Sequence, residues 1–409
     1  MKKAEDNNRM RNVLFATLLG IAACTGAESH GQPGGAVTQG APNANFTPAF
    51  AGQTRAPERP SGVTLQREVL ASGLTRPWAI AFLPDGRALV TERPGRLRVV
   101  SAEGVVSPPV AGLPSVDARG QGGLLDIALS PTFAQDRLIY WSYAEPRGGE
   151  TNATSVARGR LSEDGSRVEG VQVIFRQRPA WRSTGHFGSR LVFDPEGRLY
   201  ITLGDRQQTD SRERAQDLSS HIGKVIRINA DGGVPDDNPF VNREDAQPEI
   251  WSYGHRNVQS ADIHPQTGAL WTVEHGPRGG DELNLTQAGL NYGWPVISYG
   301  LEYSRAPVNE GIAVREGMEQ PNYYWDPVIA PGGMVFYRGD LFPWRGDLLI
   351  SGLNTRALVR LVLEGERVVG EERFDIGARV RDVAQSADGA LWVVTDDENG
   401  AVLRLTPQH

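Results

Sequence analysis

Six stations of polar side chains, each set in Gly- or Pro-rich backbone, hold most of the chemistry available to this 409-residue chain. They are Gln121 in GQGGLLD, His186 in TGHFGSRLVFDPEGRLYITLGD, Arg256-Asn257 in GHRNVQ, Glu282 in EHGPRGGDELN, Tyr292 in NYGWP, and Arg379 with Arg381 in RVRDV. His186 and Asp205 flank a segment patterned as a strand pair. If that pair folds back as a hairpin, Asp205 returns to the imidazole, and the two form a general base with a carboxylate that orients it. The same spacing also suits a loop histidine satisfied by backbone. Arg379 and Arg381 alternate on one strand and so point the same way. Guanidinium groups clamp planar carboxylates bidentately, so these two together with Arg256 describe a site for an anion with several carboxylates. Taken singly, each arginine reads more readily as a surface salt-bridge partner. The run 274–282 sets carboxylates against Gly-Pro backbone, which suits the oxygen-only shell of Ca²⁺ but lacks EF-hand spacing, and a solvated acidic turn has the same composition.

Several chemistries have no support. Among seven histidines none forms an HxxxH pair, and a single cysteine cannot build a zinc or iron–sulfur site. No GxGxxG, P-loop or GxSxG motif stands in a strand–turn–helix context, which leaves nicotinamide, nucleotide triphosphate and serine-hydrolase mechanisms without a base. A net charge of −7 offers no basic field for nucleic acid or an anionic membrane surface.

The elements that must position these residues repeat. With 48 Gly and 27 Pro, the chain shows a recurring apolar strand, a polar turn built on Pro, Asp and Gly, and a second strand ending in Thr, Asp or Glu. The units are 79–100, 127–145, 191–205, 261–276, 334–361 and 382–405. Turns such as PDG, PEG, PQTG and ADG supply the positive φ that tight hairpins need. A strand pair cannot bury its own apolar face, so six such units predict an all-β, six-bladed β-propeller of four-stranded antiparallel blades with long inter-blade loops. Sites are built on such loops.

At the N-terminus, Lys2, Lys3, Arg9 and Arg11 precede an apolar run, 13–23, too short to span a membrane comfortably. The order Ile21-Ala22-Ala23-Cys24 resembles the lipobox of bacterial lipoproteins. The expectation is a lipoprotein-type signal peptide over 1–24, a disordered tether over 25–61 and a propeller over 62–409. An ordinary signal peptide with an incidental cysteine is the alternative. Either way the chain is exported, in the first case to a periplasm where Cys24 carries a lipid anchor, and no intramolecular disulfide can form.

From Leu74 to Leu405, LTRPWAIAFLPDGRALVTERPGRLRVV, GQGGLLDIALSPTF, HFGSRLVFDPEGRLYITLGD, GHRNVQ, HGPRGGDELN, NYGWP and VRDV resemble, in order, the landmarks of the soluble PQQ-dependent glucose and aldose sugar dehydrogenases. The resemblance implies a six-bladed propeller that oxidises the C1 hydroxyl of an aldose sugar to a lactone. His186 would be the base, Asp205 the carboxylate beside it, and PQQ the hydride acceptor. Gln121, Arg256, Asn257, Tyr303, the loop Gly352-Leu353-Asn354, Arg379 and Arg381 would contact PQQ. Carbonyls of Gly276 and Pro277 would hold Ca²⁺ against the cofactor, and Glu282 with Tyr292 match a second, structural Ca²⁺ site. An external quinone or cytochrome would take the electrons. Asn354 stands where the family often has a lysine, and His275 where glucose dehydrogenases have a glutamine. Two other readings use the same scaffold: a cell-surface binding propeller, and a calcium-dependent lactonase, which would want several acidic ligands on the central axis.

Overall fold

Each sequence unit becomes part of one small antiparallel sheet, and there are six such sheets in the computed structural model, which describes residues 35–408. The signal-peptide and lipid-anchor expectations, including Cys24, fall outside the described residues. The inner strands are Pro77–Phe82, Leu124–Leu129, Leu191–Phe193, Val258–Ile263, Pro331–Phe336 and Val380–Gln385. Each touches the next, and the sixth touches the first, so the sheets form the closed ring of a six-bladed β-propeller. The chain ends lock the ring: Leu65–Leu74 is the outer strand of the last blade, pairing with Gly400–Pro407 so that Leu65 lies opposite Pro407 and Leu74 opposite Gly400. No helix among the described residues is long and apolar enough to cross a membrane.

Period-two alternation sends successive side chains of a strand into two different inter-blade cores. In Leu138–Pro146, Trp141 packs with Leu89 and Leu97 of the first blade, whereas Tyr140 packs with Leu199 and Ile226 of the third. Leu348 and Leu349 divide in the same way between Trp271 on one side and Leu391 on the other. Apolar burial between blades therefore holds the ring radially, and backbone hydrogen bonds hold each blade.

Two expectations need correction. Five blades have four strands, but the first has three, Pro77–Phe82, Ala88–Glu92 and Arg96–Val100. The chain that would supply the fourth carries Pro108, Pro109 and Pro114, which cannot donate to a ladder. Second, the tether is not free along its length, because residues 35–61 pack as a strap on the ring. Asp326 accepts the backbone N–H groups of Asn43 (2.9 Å) and Ala44 (3.0 Å), and Ala56 N–H donates to the Tyr323 hydroxyl at 2.9 Å. Gln53, fully buried, donates to the Pro321 carbonyl at 2.9 Å. Hydrogen bonds rather than apolar content hold the strap, which is why its composition reads as disordered.

Removing residues 1–61 should therefore lower the melting temperature relative to removing residues 1–34. The strap's buried hydrogen bonds contribute about 1 kcal/mol each, and in a chain of this length about 1 kcal/mol corresponds to about 1–2 °C, because the shift falls as the unfolding entropy grows with length. Equal melting of the two truncations by calorimetry would show that the strap adds nothing.

Candidate active site

The hairpin Leu191–Phe193 and Arg198–Thr202 brings Asp205 back to His186, and Asp205 Oδ1 lies 2.6 Å from His186 Nδ1. Both side chains are buried. His186 adopts a left-handed backbone (φ 46°), and its N–H donates to Gln121 Oε1 at 2.8 Å. Gly188 follows at φ 62°, where a Cβ would come within 2.6 Å of the Leu203 backbone, so only glycine fits this turn. Asp205 Oδ1 also accepts Gln207 N–H at 2.8 Å, and Oδ2 accepts the Trp294 indole N–H at 2.7 Å. Burial alone would raise the Asp205 pKa, but His186 and Arg256 outweigh it and hold the carboxyl below its ordinary value. For His186, burial lowers the pKa, Asp205 pulls it up, and Arg256 and Arg206 push it down again; the balance lies below the ordinary imidazole value. Among the described residues nothing hydrogen-bonds to His186 Nε2.

Beside this pair lies a cavity of about 240 Å³ whose lining includes Gln121, Phe187, Gly188, Asn257, Leu353, Arg379 and Arg381. Arg379 and Arg381 both reach Asp396 Oδ2 at 3.1 Å, and Arg381 also donates to Gln259 Oε1 at 3.1 Å. Burial would raise the Asp396 pKa, yet the two arginines keep it below the usual carboxylate range. Two of the expected cofactor contacts do not line this cavity: Arg256 donates to the carbonyls of His275 (3.0 Å) and Gly276 (2.7 Å) and borders a neighbouring ion-sized space, and the Tyr303 hydroxyl, 3.4 Å from Arg256, belongs to a side chain that is 65% exposed. The 352–354 loop contributes only Leu353 to the cavity: Gly352 is buried in a strand, and Asn354 is exposed with its amide on the Val328 carbonyl. His275 lines the cavity with Nε2 2.6 Å from the Pro331 carbonyl, and burial drives its pKa down to about 3.

A second, ion-sized space of about 10 Å³ is lined by Glu274, Gly276, Pro277, Glu282, Tyr292 and Trp294, among others. The four residues expected at two separate metal sites line one and the same space, which has room for a single ion. The Tyr292 hydroxyl donates to the Leu285 carbonyl at 2.6 Å, so the group of Tyr292 suited to a cation is its backbone carbonyl oxygen. Burial, and then the neighbouring Glu274, push the Glu282 pKa well up. Among the described residues no group of three or more His, Cys, Asp or Glu side chains converges as a metal site. A cation here needs backbone carbonyls.

A family model described as Glucose / Sorbosone dehydrogenase matches residues 74–404. The chain belongs to the glucose/sorbosone dehydrogenase family. Aldose sugar dehydrogenase YliI of Escherichia coli (strain K12) is 45% identical over 85% of this chain and 94% of that relative. The crystal structure of the soluble aldose sugar dehydrogenase from Escherichia coli in the apo-form matches at TM-score 0.81 and 45% identity, over 84% of this chain and 100% of that one. The PQQ-bound form of aldose sugar dehydrogenase from Streptomyces coelicolor matches at TM-score 0.70 and 28% identity, over 85% and 99% of the two chains.

Within this family member, the roles of three supporting residues escape sequence reasoning. Glu274 accepts the backbone N–H groups of Arg256 (2.6 Å) and Asn257 (3.2 Å) and pairs with His255 Nδ1 at 3.0 Å, so it aims both side chains. Arg93 lines the cavity and donates to the carbonyls of Gly120 and Gly122, which fixes the loop bearing Gln121. Asp396 is the third. Glu274 stands in the 274–282 run that composition marks as a cation site, and what the sequence does not show is that its carboxylate serves the Arg256-Asn257 backbone instead; Arg93 and Asp396 give no local signal.

Proposed function

We propose that the protein is a PQQ-dependent aldose sugar dehydrogenase that oxidises the C1 hydroxyl of an aldose to the lactone, with Ca²⁺ beside the cofactor. The observation that carries this reading is the His186–Asp205 pair, with Nε2 unpartnered, set beside a cavity ringed by arginines and amides. The residues suit an anionic quinone. Nε of Arg381, which lines the cavity, is buried without a hydrogen-bond partner among the described residues, a donor capacity that a carboxylate would satisfy. Gln121, Asn257, Arg379 and Arg381 would hold PQQ, and a single Ca²⁺ would take the one ion-sized space beside it, held by carbonyl oxygens of Gly276, Pro277 and Tyr292 and the Glu282 carboxylate.

When bound, PQQ supplies the acceptor for the C1 hydride and Ca²⁺ a Lewis acid that polarises it. His186 Nε2 takes the proton of the C1 hydroxyl, so the two electrons and the proton leave the sugar by separate routes. Asp205 stabilises the imidazolium that results and keeps Nδ1 protonated before it forms. Arg256, stacked at 5.2 Å over Trp294, and Gln121, bonded to the His186 backbone, keep base and clamp in one rigid frame. An external quinone or cytochrome then accepts the electrons, near a membrane if Cys24 carries a lipid.

The test is reconstitution of residues 25–409 with PQQ and Ca²⁺, followed by dye reduction with a panel of aldoses. Activity that needs both additions supports the reading. A folded protein that binds no PQQ would refute it and favour the binding propeller, since Asn354 brings no cation to the cavity.

A further inference from the structure

Trp294 touches both halves of the site. Its buried indole N–H donates to Asp205 Oδ2 at 2.7 Å, while Asp205 Oδ1 holds His186 Nδ1 at 2.6 Å and also accepts Gln207 N–H at 2.8 Å, so the indole is the one donor on the second oxygen among the described residues. The face of the same ring carries the Arg256 guanidinium at 5.2 Å and that of Arg212 at 5.9 Å. The ring is fixed from behind as well: Trp294 N–H donates to the Gly254 carbonyl at 2.8 Å, and the Trp294 carbonyl accepts Gln216 Nε2 at 2.8 Å.

We propose that Trp294 is a positioning residue that sets the orientation and basicity of His186 through Asp205. A carboxylate bonded through one oxygen only, here to the imidazole and to Gln207 N–H, concentrates its charge on that side and leaves the second oxygen unheld. An indole donor on the second oxygen completes the hold on the carboxylate plane and draws charge away from Oδ1. Asp205 then holds the imidazolium less tightly, and His186 stays a neutral base to lower pH. The other groups that face His186 are Arg206 and Arg256, which act in the same direction, and His275, which is neutral at its depressed pKa. Neither arginine bonds to Asp205, so neither can substitute for the indole.

The catalytic meaning of this chain rests on the dehydrogenase reading, but its test does not. In the protein without cofactor, Trp294→Phe keeps a ring under Arg256 and removes only the donor. The His186 pKa, followed by NMR and assigned with His186→Gln, should rise by about half a unit to one unit, the size of one hydrogen bond's differential effect. In an Asp205→Asn background the same substitution should leave His186 unmoved. A Trp294→Phe protein with an unshifted His186, or an equal shift in the Asp205→Asn background, would overturn the proposal. If Trp294→Phe does not fold, the unsubstituted protein still decides: the Trp294 indole proton resonance should follow the His186 titration, and its indifference to that titration sinks the idea. In the loaded enzyme, Trp294→Phe should move the acid limb of the kcat profile upward and lower kcat about tenfold with KM little changed. A shifted His186 with no sugar oxidation in any variant would leave Trp294 in this role and remove the dehydrogenase reading instead.

Discussion

Replacing His186 with Gln should lower sugar-dependent dye reduction by about 10²–10⁴-fold, the usual contribution of a positioned general base. Glutamine approximates the length of the imidazole and keeps a polar end for Asp205, so the fold should survive. Affinity for PQQ should change little, because Gln121 meets His186 through the backbone N–H, which remains. The pH dependence follows from the sign of the shift. His186 works as a base only when neutral, and its folded pKa lies below the ordinary 6.5 chiefly because it is buried. Activity should therefore hold steady as pH falls through 6.5 and decline only at more acid pH. An acid limb centred at or above 6.5, or a His186→Gln enzyme within tenfold of the parent, would assign the base elsewhere. Asp205→Asn offers the companion measurement: it removes the charge that stabilises the imidazolium, so kcat should fall while PQQ still binds.

How much of this was legible in the sequence depends on the range of each interaction. The six units are visible because turn chemistry and period-two alternation are local, and so is the hairpin that returns Asp205 to His186. Ring closure by Leu65–Leu74 against Gly400–Pro407 joins the two ends of the propeller and leaves no pattern in either strand. The arginines show the same limit. Their alternation predicts a shared direction for Arg379 and Arg381, and both do line the cavity. What they hold there, Asp396, comes from another turn, so clamp and surface salt bridge are both partly true of the same two residues. The strap misleads for the opposite reason: its contacts run through backbone N–H groups, to which composition is blind. Asn354 shows that a motif position fixes the backbone and not the side chain's direction, for its neighbour Leu353 is the residue that reaches the cavity.

The largest stability effect should come from a residue outside the proposed chemistry. Arg190 is buried, with Nη1 2.7 Å from Asp126 Oδ1 and Nη2 3.1 Å from Asp382 Oδ1. The two carboxylates belong to the inner strands of the second and sixth blades, and they also accept the backbone N–H groups of Leu191 and Ile80, which start the third and line the first. One ion triad thus ties four blades across the axis. Arg190→Met leaves two carboxylates buried without a cation, a change that costs about 3–5 kcal/mol. The loss must depend on pH. Burial raises the Asp126 pKa to about 7, well above its value of about 3.9 in an unfolded chain. Between those values the folded state binds the extra proton, so Asp126 contributes stability that is complete below about pH 4 and fades as pH rises through 7. Without Arg190 the folded pKa climbs further, and the penalty of the substitution should be greatest at pH 8 and smaller at pH 5, where protons replace the missing guanidinium. Urea denaturation at both pH values measures this; an equal loss at each would mean that lost packing against Trp78, 4.8 Å from the guanidinium, outweighs the charge. Adding Asp126→Asn and Asp382→Asn to Arg190→Met should recover most of the stability at pH 8, because the cost lies in unpaired charge rather than in the absence of the triad. Such recovery with an intact His186–Asp205 pair would show that the triad aligns four blades without being needed to hold them together.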